Sequence, residues 1–291
     1  GLGDVYKRQL LEAADQRGFR ARPLEKPVRV SAQATLRDVR SENVAAMVEG
    51  TDLKQEAVVF SAHWDHLGMN SNATGDGIYN GAVDNATGLG VLLELARAWA
   101  ALPQKPRRTA LFLAVTAEEG GLRGSEYYGR HPLFPLGKTQ LDLNFDAIPP
   151  YGRPRDLVIN GAERTTAWPM VQEVARRYNF ALSPDPHPEQ GTYYRSDHFS
   201  FARVGVPAFS INLGADYQGV NAARSNALRQ EYTQHYHQPS DEFRDDWDWS
   251  GVEEVARVGL TLGINAANNS ALFTWRPNDE FLPARLASMA R

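Results

Sequence analysis

The sequence predicts an α/β sandwich around a mainly parallel sheet, and two patterns carry that prediction. Apolar runs of strand length recur along the chain, and between them lie stretches whose apolar residues have helical spacing. Strands alternating with helices pack as a parallel sheet covered on its faces, because parallel neighbours need a crossover connection. With 291 residues, the chain is long enough to bury roughly three quarters of its unfolded surface in one large domain.

Leu10–Arg17 reads as a short helical piece, and Val28–Leu36 alternates small or apolar residues with polar ones, as a strand with one wet face does. Asn43–Glu49 reads as a second strand, closed by the turn Gly50–Asp52. Ala57–Ala62 is continuously apolar, as expected of a strand covered on both faces, and it ends in His63. From Ala86 to Ala101, the positions Leu89, Leu92, Leu93, Leu95, Ala96 and Trp99 have helical spacing, and Pro103 and Pro106 stop the helix. Thr109–Thr116, Leu141–Phe145 and Pro207–Leu213 read as further buried strands, with a helix at Trp168–Tyr178 and a last helix at Val252–Asn268. Pro149–Pro154, Ser183–Gly191 and Asp216–Gln230 read as loops, candidates for the walls of a site. Residues 1–9 carry no pattern that continues into Leu10 and beyond, and they read as a non-native leader; 10–40 read as the end of an upstream segment, and 41–291 as the main domain.

Composition removes several chemistries. The absence of Cys excludes thiol nucleophiles, CxxC redox centres and Cys-ligated zinc. The 31 basic and 35 acidic residues balance at −4 with no basic stripe, so no nucleic-acid partner is expected. No apolar run approaches the roughly 20 residues of a transmembrane segment. Oligomeric state leaves no trace.

The chemistry lies where the strands end. One apolar run ends in His63-Trp-Asp65, another in Glu118-Glu119, a third in Asp146, and Asp84 stands just before the long helix. Carboxyl ends of parallel strands converge on one crevice, so four carboxylates would share a pocket. No Lys or Arg adjoins them in sequence, and like charges at contact distance demand a compensating cation. Imidazole with carboxylate suits zinc, cobalt or manganese, and a bridging Asp is how paired-metal hydrolases hold ions about 3.5–4 Å apart. His63 and Asp65, two apart on a strand, would share a face, letting the Asp65 carboxylate accept the second imidazole N–H. His237 lies late enough to return to the same edge.

In order along the chain, Ser61-Ala-His63-Trp-Asp65-His-Leu-Gly68, Gly81-Ala-Val-Asp84-Asn85-Ala-Thr-Gly88, Ala117-Glu118-Glu119-Gly120, Asn144-Phe-Asp146, Arg195-Ser-Asp197 and Tyr236-His237-Gln-Pro-Ser-Asp241 resemble the successive signatures of the M28 di-zinc peptidases. The resemblance implies a three-layer αβα sandwich with a mixed, mainly parallel central sheet, holding two Zn2+, with Co2+ or Mn2+ as substitutes. It implies Asp84 as the bridging ligand, His63 and Asp146 on one zinc, and Glu119 and His237 on the other. It further implies Asp65 as the group orienting His63, Glu118 as general base, Tyr236 as oxyanion donor and Arg195 as a holder of the substrate amine through its backbone. A cis peptide is expected at Asp84–Asn85. His66 and His235 read as neighbours outside the ligand set, and Asp197–His198 as pocket lining or a hydrogen-bonded pair. Loops around Tyr151, Tyr193–Tyr194 and Asp216–Tyr217 would build the pocket for the substrate side chain.

The function implied is a secreted zinc aminopeptidase acting on peptide substrates, extracellular or periplasmic, with a protease-associated domain upstream of which 10–40 would be the return. A carboxypeptidase of the same family is the nearest rival, with Arg123, Arg153, Arg155 or Arg195 clamping a carboxylate. A glutaminyl cyclase-like transferase and a catalytically idle binding domain are the others, and a domain without metal has no physical reason to keep four mutually repelling carboxylates.

Overall fold

The computed structural model describes residues 2–21, 29–34 and 38–290. It divides into two compact units, Gly1–Arg40 and Ser41–Arg291. In the first, α1 runs over Leu2–Ala14, further toward the amino terminus than the expected Leu10–Arg17. Of the strand expected at Val28–Leu36, Val28, Thr35 and Leu36 lie outside the described residues, and Arg29–Ala34 is not strand. Alternation alone does not make a strand; a neighbour must take up its backbone groups, and among the described residues none pairs here.

The second unit comprises β1 (Val44–Val48), β2 (Leu53–His63), β3 (Gly68–Met69), β4 (Ile78–Tyr79), α2 (Gly88–Ala100), β5 (Arg108–Val115), α3 (Arg123–Arg130), β6 (Thr139–Asn144), β7 (Asp156–Asn160), α4 (Trp168–Arg177), β8 (Ala181–Leu182), α5 (His198–Arg203), β9 (Ala208–Leu213), α6 (Ala222–His235), α7 (Ser250–Asn268) and α8 (Leu282–Met289). Seven strands form one sheet in the order β1-β5-β2-β6-β9-β7-β8. The four central strands β5, β2, β6 and β9 are parallel, while β1 and β7 run antiparallel to their neighbours β5 and β9. The mixed, mainly parallel sheet is as expected.

Period-two packing makes three layers. Val58, Phe60 and Ala62 of β2 face α2 and α7 through Leu92, Leu95, Trp99, Val258 and Leu262. Val59 points the other way, joining Leu111, Leu113 and Val115 of β5 against Tyr128 of α3 and Phe201 of α5. Each such buried Val, Leu or Phe contributes about 1.5–3 kcal/mol. The short strands β3, β4, β7 and β8, the helices α3 and α5 and the final helix α8 extend the expected set, so α7 is not the last helix. The segment expected as the loop Asp216–Gln230 is largely α6, started by Asn221, whose side chain accepts a hydrogen bond from Arg224 N. Only Ser225 and Leu228 of α6 are buried, so no apolar stripe announces this helix. No described helix is long and apolar enough to cross a membrane.

Candidate metal centre

Adjacent parallel strands β5, β2 and β6 deliver the expected residues to one edge of the sheet. His63 closes β2, Asp146 follows β6 by two residues, and Glu118 and Glu119 follow β5 in a short turn. Asp84 comes from the turn Ala82–Thr87 that opens α2, where the backbone leaves helical angles at Asp84 (φ −110°, ψ 88°) and Asn85 (φ −136°, ψ 40°). The Asp84–Asn85 peptide is cis, as expected. The Asn85 amide ties this turn to both strand ends: its Nδ2 donates to Phe145 O at 3.0 Å and His63 O at 3.3 Å, and its Oδ1 accepts from Gly88 N at 3.0 Å and Ala147 N at 3.1 Å. Gly88 is required there, because a Cβ would collide with the Asn85 amide and the Phe145 carbonyl.

The two oxygens of Asp84 face two imidazoles. His63 Nε2 lies 3.1 Å from Asp84 Oδ1 and 3.2 Å from Asp146 Oδ1. His237 Nε2 lies 3.2 Å from Asp84 Oδ2 and 3.0 Å from Glu119 Oε2. Ligand atoms sharing one tetrahedral zinc at 2.0–2.1 Å are about 3.3 Å apart, which these spacings approach. Among the described residues, every ion pair of Asp84, Glu119 and Asp146 is with a His; none is with Lys or Arg. His237 Nε2 and Glu119 Oε1 are buried without a hydrogen bond. This donor set fits divalent cations: buried carboxylates without a cationic side chain, and imidazole nitrogens turned toward them.

One expectation is corrected. His63 Nδ1 is held at 2.9 Å by the main-chain oxygen of Asp65, not by its carboxylate. β2 ends at His63, so the period-two argument stops there, and the chain turns its carbonyl under the ring. The Asp65 carboxylate instead accepts from Ala117 N at 2.6 Å and Thr116 Oγ1 at 3.3 Å, bracing the turn that carries Glu118 and Glu119.

Other supports were not singled out by sequence. Ser196 Oγ donates to Asp146 Oδ2 at 2.5 Å, Asn144 Nδ2 holds Ser196 at 2.7 Å, and Ser61 donates to Asn144 Oδ1 at 3.1 Å. Asp241, 2% exposed, accepts from Val83 N at 2.9 Å and Asp84 N at 3.0 Å, joining the His237 loop to the Asp84 turn. Its only sequence signal is its place four residues after His237. His66 Nδ1 lies 2.7 Å from Glu119 Oε1, whereas His235 bonds Ser240 Oγ at 2.8 Å, away from the centre.

The electrostatics register the crowding. Burial pushes the His63 imidazole down, but hydrogen bonds to Asp146 and Asp84 outweigh it and lift the group to about 12. Burial, then Asp146 and Asp197, raise Glu118 to about 9. Burial likewise lifts Asp197 to about 7.

A cavity of about 230 Å³ opens beside the carboxylates, lined by Asp84, Glu118, Asp146, Arg195, His198 and Tyr236. His198 thus lines the pocket, and the alternative hydrogen-bonded Asp197–His198 pair is not formed. Tyr236 stacks on His237 with ring centroids 3.8 Å apart, and burial, then the charges of Asp84 and Glu119, raise its phenol so that it keeps its proton. Tyr151 and Tyr217 line an adjoining cavity of about 490 Å³ that shares Asn160, Thr192, Asn212 and Tyr232 with the first. Tyr193 and Tyr194 line a third, of about 520 Å³.

The sequence profile of peptidase family M28 matches residues 43–262. The chain belongs to that family. This M28 chain is 31% identical over 175 residues to a vacuolar membrane protease of Schizophyllum commune, which covers 60% of the chain and 16% of that protein. Its fold resembles the aminopeptidase from Aneurinibacillus sp. strain AM-1 (TM-score 0.56, 22% identity, covering 81% of this chain and 50% of that one). A zinc aminopeptidase from Bacillus subtilis gives a TM-score of 0.55 at 20% identity, covering 82% and 52%. The M28 chain spans about half the length of these solved structures and a smaller part of the fungal protein.

Proposed function

We propose that the chain is a zinc exopeptidase, an aminopeptidase that removes N-terminal residues from peptides at a paired-metal centre. The observation that carries this reading is Asp84, whose two carboxylate oxygens each approach a different imidazole, with Glu118 on the wall of the same cavity. His63, Asp84 and Asp146 would hold one Zn2+, and Asp84, Glu119 and His237 the other. When bound, the ions supply Lewis acidity and neutralise the carboxylates.

The chain's own groups divide the rest of the work. Glu118, on the cavity wall beside the carboxylates, accepts a proton from the attacking water and returns it to the leaving amine. Tyr236, kept protonated, donates its O–H to the oxyanion. The main-chain oxygen of Asp65 fixes the His63 tautomer, leaving Nε2 for the metal. Arg195 lines the cavity, and its backbone would help hold the substrate's terminal amine.

A carboxypeptidase is favoured by one observation. Of the candidate cations, Arg153 pairs with Glu254, Arg155 pairs with Asp216 and Arg123 donates to Gly120 O, while Arg195 lines the cavity with no ion pair among the described residues. Peptides with free and with blocked N-termini, assayed side by side with and without chelator, separate the readings. Metal-dependent release from free N-termini only supports the aminopeptidase. Turnover of blocked as well as free peptides supports the carboxypeptidase, which needs only the C-terminal carboxylate, and no metal-dependent turnover of either contradicts both.

A further inference from the structure

The cavity beside the carboxylates adjoins another of about 450 Å³, and the two share Glu118, Arg195 and Tyr236. Glu118 and Tyr236 therefore stand where these cavities meet, and a peptide bond held between them has the leaving part of its substrate in the larger one. The wall of that cavity includes Leu122, Phe199 and Arg203. Arg203 closes α5, which begins at His198 on the wall of the smaller cavity. Five residues of α-helix advance about 7.5 Å. That is the length of about two residues of extended peptide. The charge of Arg203 is poorly matched within the chain. Its Nη1 lies 3.7 Å from Glu126 Oε1, an oxygen that already accepts from Arg130 Nη2 at 2.7 Å, and its side chain is 54% exposed. Glu126 lines the cavity too, but Arg130 meets its charge first. The Arg203 guanidinium carbon lies 5.7 Å from the centroid of the Phe199 ring on the same wall, and Arg195 at the junction has no ion pair among the described residues. Glu118 and Glu119, the other acids on this wall, belong to the metal end.

We propose that Arg203 is a specificity-determining residue that receives a substrate carboxylate about two residues beyond the cleaved bond. Peptides with a carboxylate at their third residue, whether their own C terminus or an acidic side chain, are then preferred, and the leaving group is a dipeptide or begins with one. A guanidinium meets a carboxylate with two parallel N–H donors, so Arg203 supplies both charge and direction. The inference rests on the aminopeptidase reading above. It differs from the carboxypeptidase reading, in which the carboxylate belongs to the residue adjoining the cleaved bond and Arg195 at the junction clamps it. No motif of the sequence marks Arg203, because its place follows from the length of α5 and not from any neighbour in the chain.

Steady-state kinetics of the zinc-loaded chain on three peptides test it: leucyl-glycyl-glycine, its C-terminal amide, and the C-terminal amide of leucyl-glycyl-glutamate, whose carboxylate is in the side chain. The proposal expects a KM at least about tenfold lower for the free acid than for its amide, with kcat alike. That difference should vanish in Arg203→Gln and survive in part in Arg203→Lys, which keeps the charge but not the planar fork. A low KM for the free acid alone assigns the site to a chain terminus, and a low KM for the glutamyl amide alone assigns it to an acidic side chain; a low KM for both supports either source. Equal KM for all three peptides in the unaltered chain overturns the proposal and leaves the aminopeptidase reading standing. So does a preference for the carboxylate that persists undiminished in Arg203→Gln, including one in which acid and amide lose activity together, as general damage to the fold would cause. Absence of metal-dependent turnover of all three peptides overturns the aminopeptidase reading, and the proposal with it.

Discussion

The two halves of the centre are built differently. His63 and Asp146 stand at the ends of neighbouring strands, and His63 is 1% exposed. A main-chain oxygen holds the outer nitrogen of His63, and a relay from Ser61 through Asn144 and Ser196 holds the outer oxygen of Asp146. His237 comes from the loop after α6, its side chain is 31% exposed, and its φ of 56° lies in the left-handed region that most residues avoid. The difference teaches that one half is set by the sheet, whereas the other is completed by a segment that must be held in place. Asp84 belongs to both, and Asp241 couples its turn to the loop.

The harshest way to break the comparison is to remove what the halves share. Asp84→Asn should lose both zinc ions together and lower peptide hydrolysis about 10⁴-fold, since each ion is worth several kcal/mol in the transition state. Metal analysis with steady-state kinetics checks it, and loss of one ion alone would mean that Asp84 serves only one half. Next comes Glu118→Gln, expected to cut turnover about 10²–10⁴-fold while the chain keeps its full metal content. Loss of metal in that variant would make Glu118 a ligand.

Acidity sharpens the contrast between the metal-free and loaded chain. Glu118 and Asp197 have folded values of about 9 and about 7, above their ordinary ones, so their stabilising protonation is complete below the ordinary carboxyl range and lost as pH rises through 7 and then 9. His63, lifted to about 12, has the same sign, since the charge that favours folding is lost only toward that value. His198, pushed down to about 4 by burial, has the opposite sign below its ordinary value, so the metal-free chain should melt at progressively lower temperature between pH 7 and pH 9, and zinc should cancel the fall. Melting curves across that range, with and without zinc, decide it; rising metal-free stability would refute the crowding argument. The smallest effect is expected of Asp241→Asn, which weakens hydrogen bonds to a charged acceptor worth about 1.5–3 kcal/mol and should loosen the half containing His237 before the half containing His63. Denaturant unfolding with stepwise chelation measures both, and equal loosening would mean that Asp241 supports the whole turn.

What could be read from the chain beforehand was whatever a strand can fix. His63, Glu119 and Asp146 end apolar runs in a parallel sheet, and sheet geometry places such ends on one edge, so their meeting with Asp84 was foreseeable from order alone. The Asp65 carboxylate was misplaced because strand periodicity was carried two residues beyond the end of β2. Helix α6 escaped notice because so little of it is buried, and β7 and β8 because five and two residues are too few to show a period. Asn85, Ser196 and Asp241 lie inside the motifs, but their side chains bond groups that only the folded chain brings near, so the motifs alone give them no role.

The central claim is that these side chains gather around two neighbouring cations. Crystals of the zinc-loaded chain, measured on both sides of the zinc absorption edge, test it most directly. The account predicts two anomalous peaks about 3.5–4 Å apart with Asp84 between them, His63 and Asp146 on one and Glu119 and His237 on the other. A single peak, or peaks away from Asp84, would contradict it.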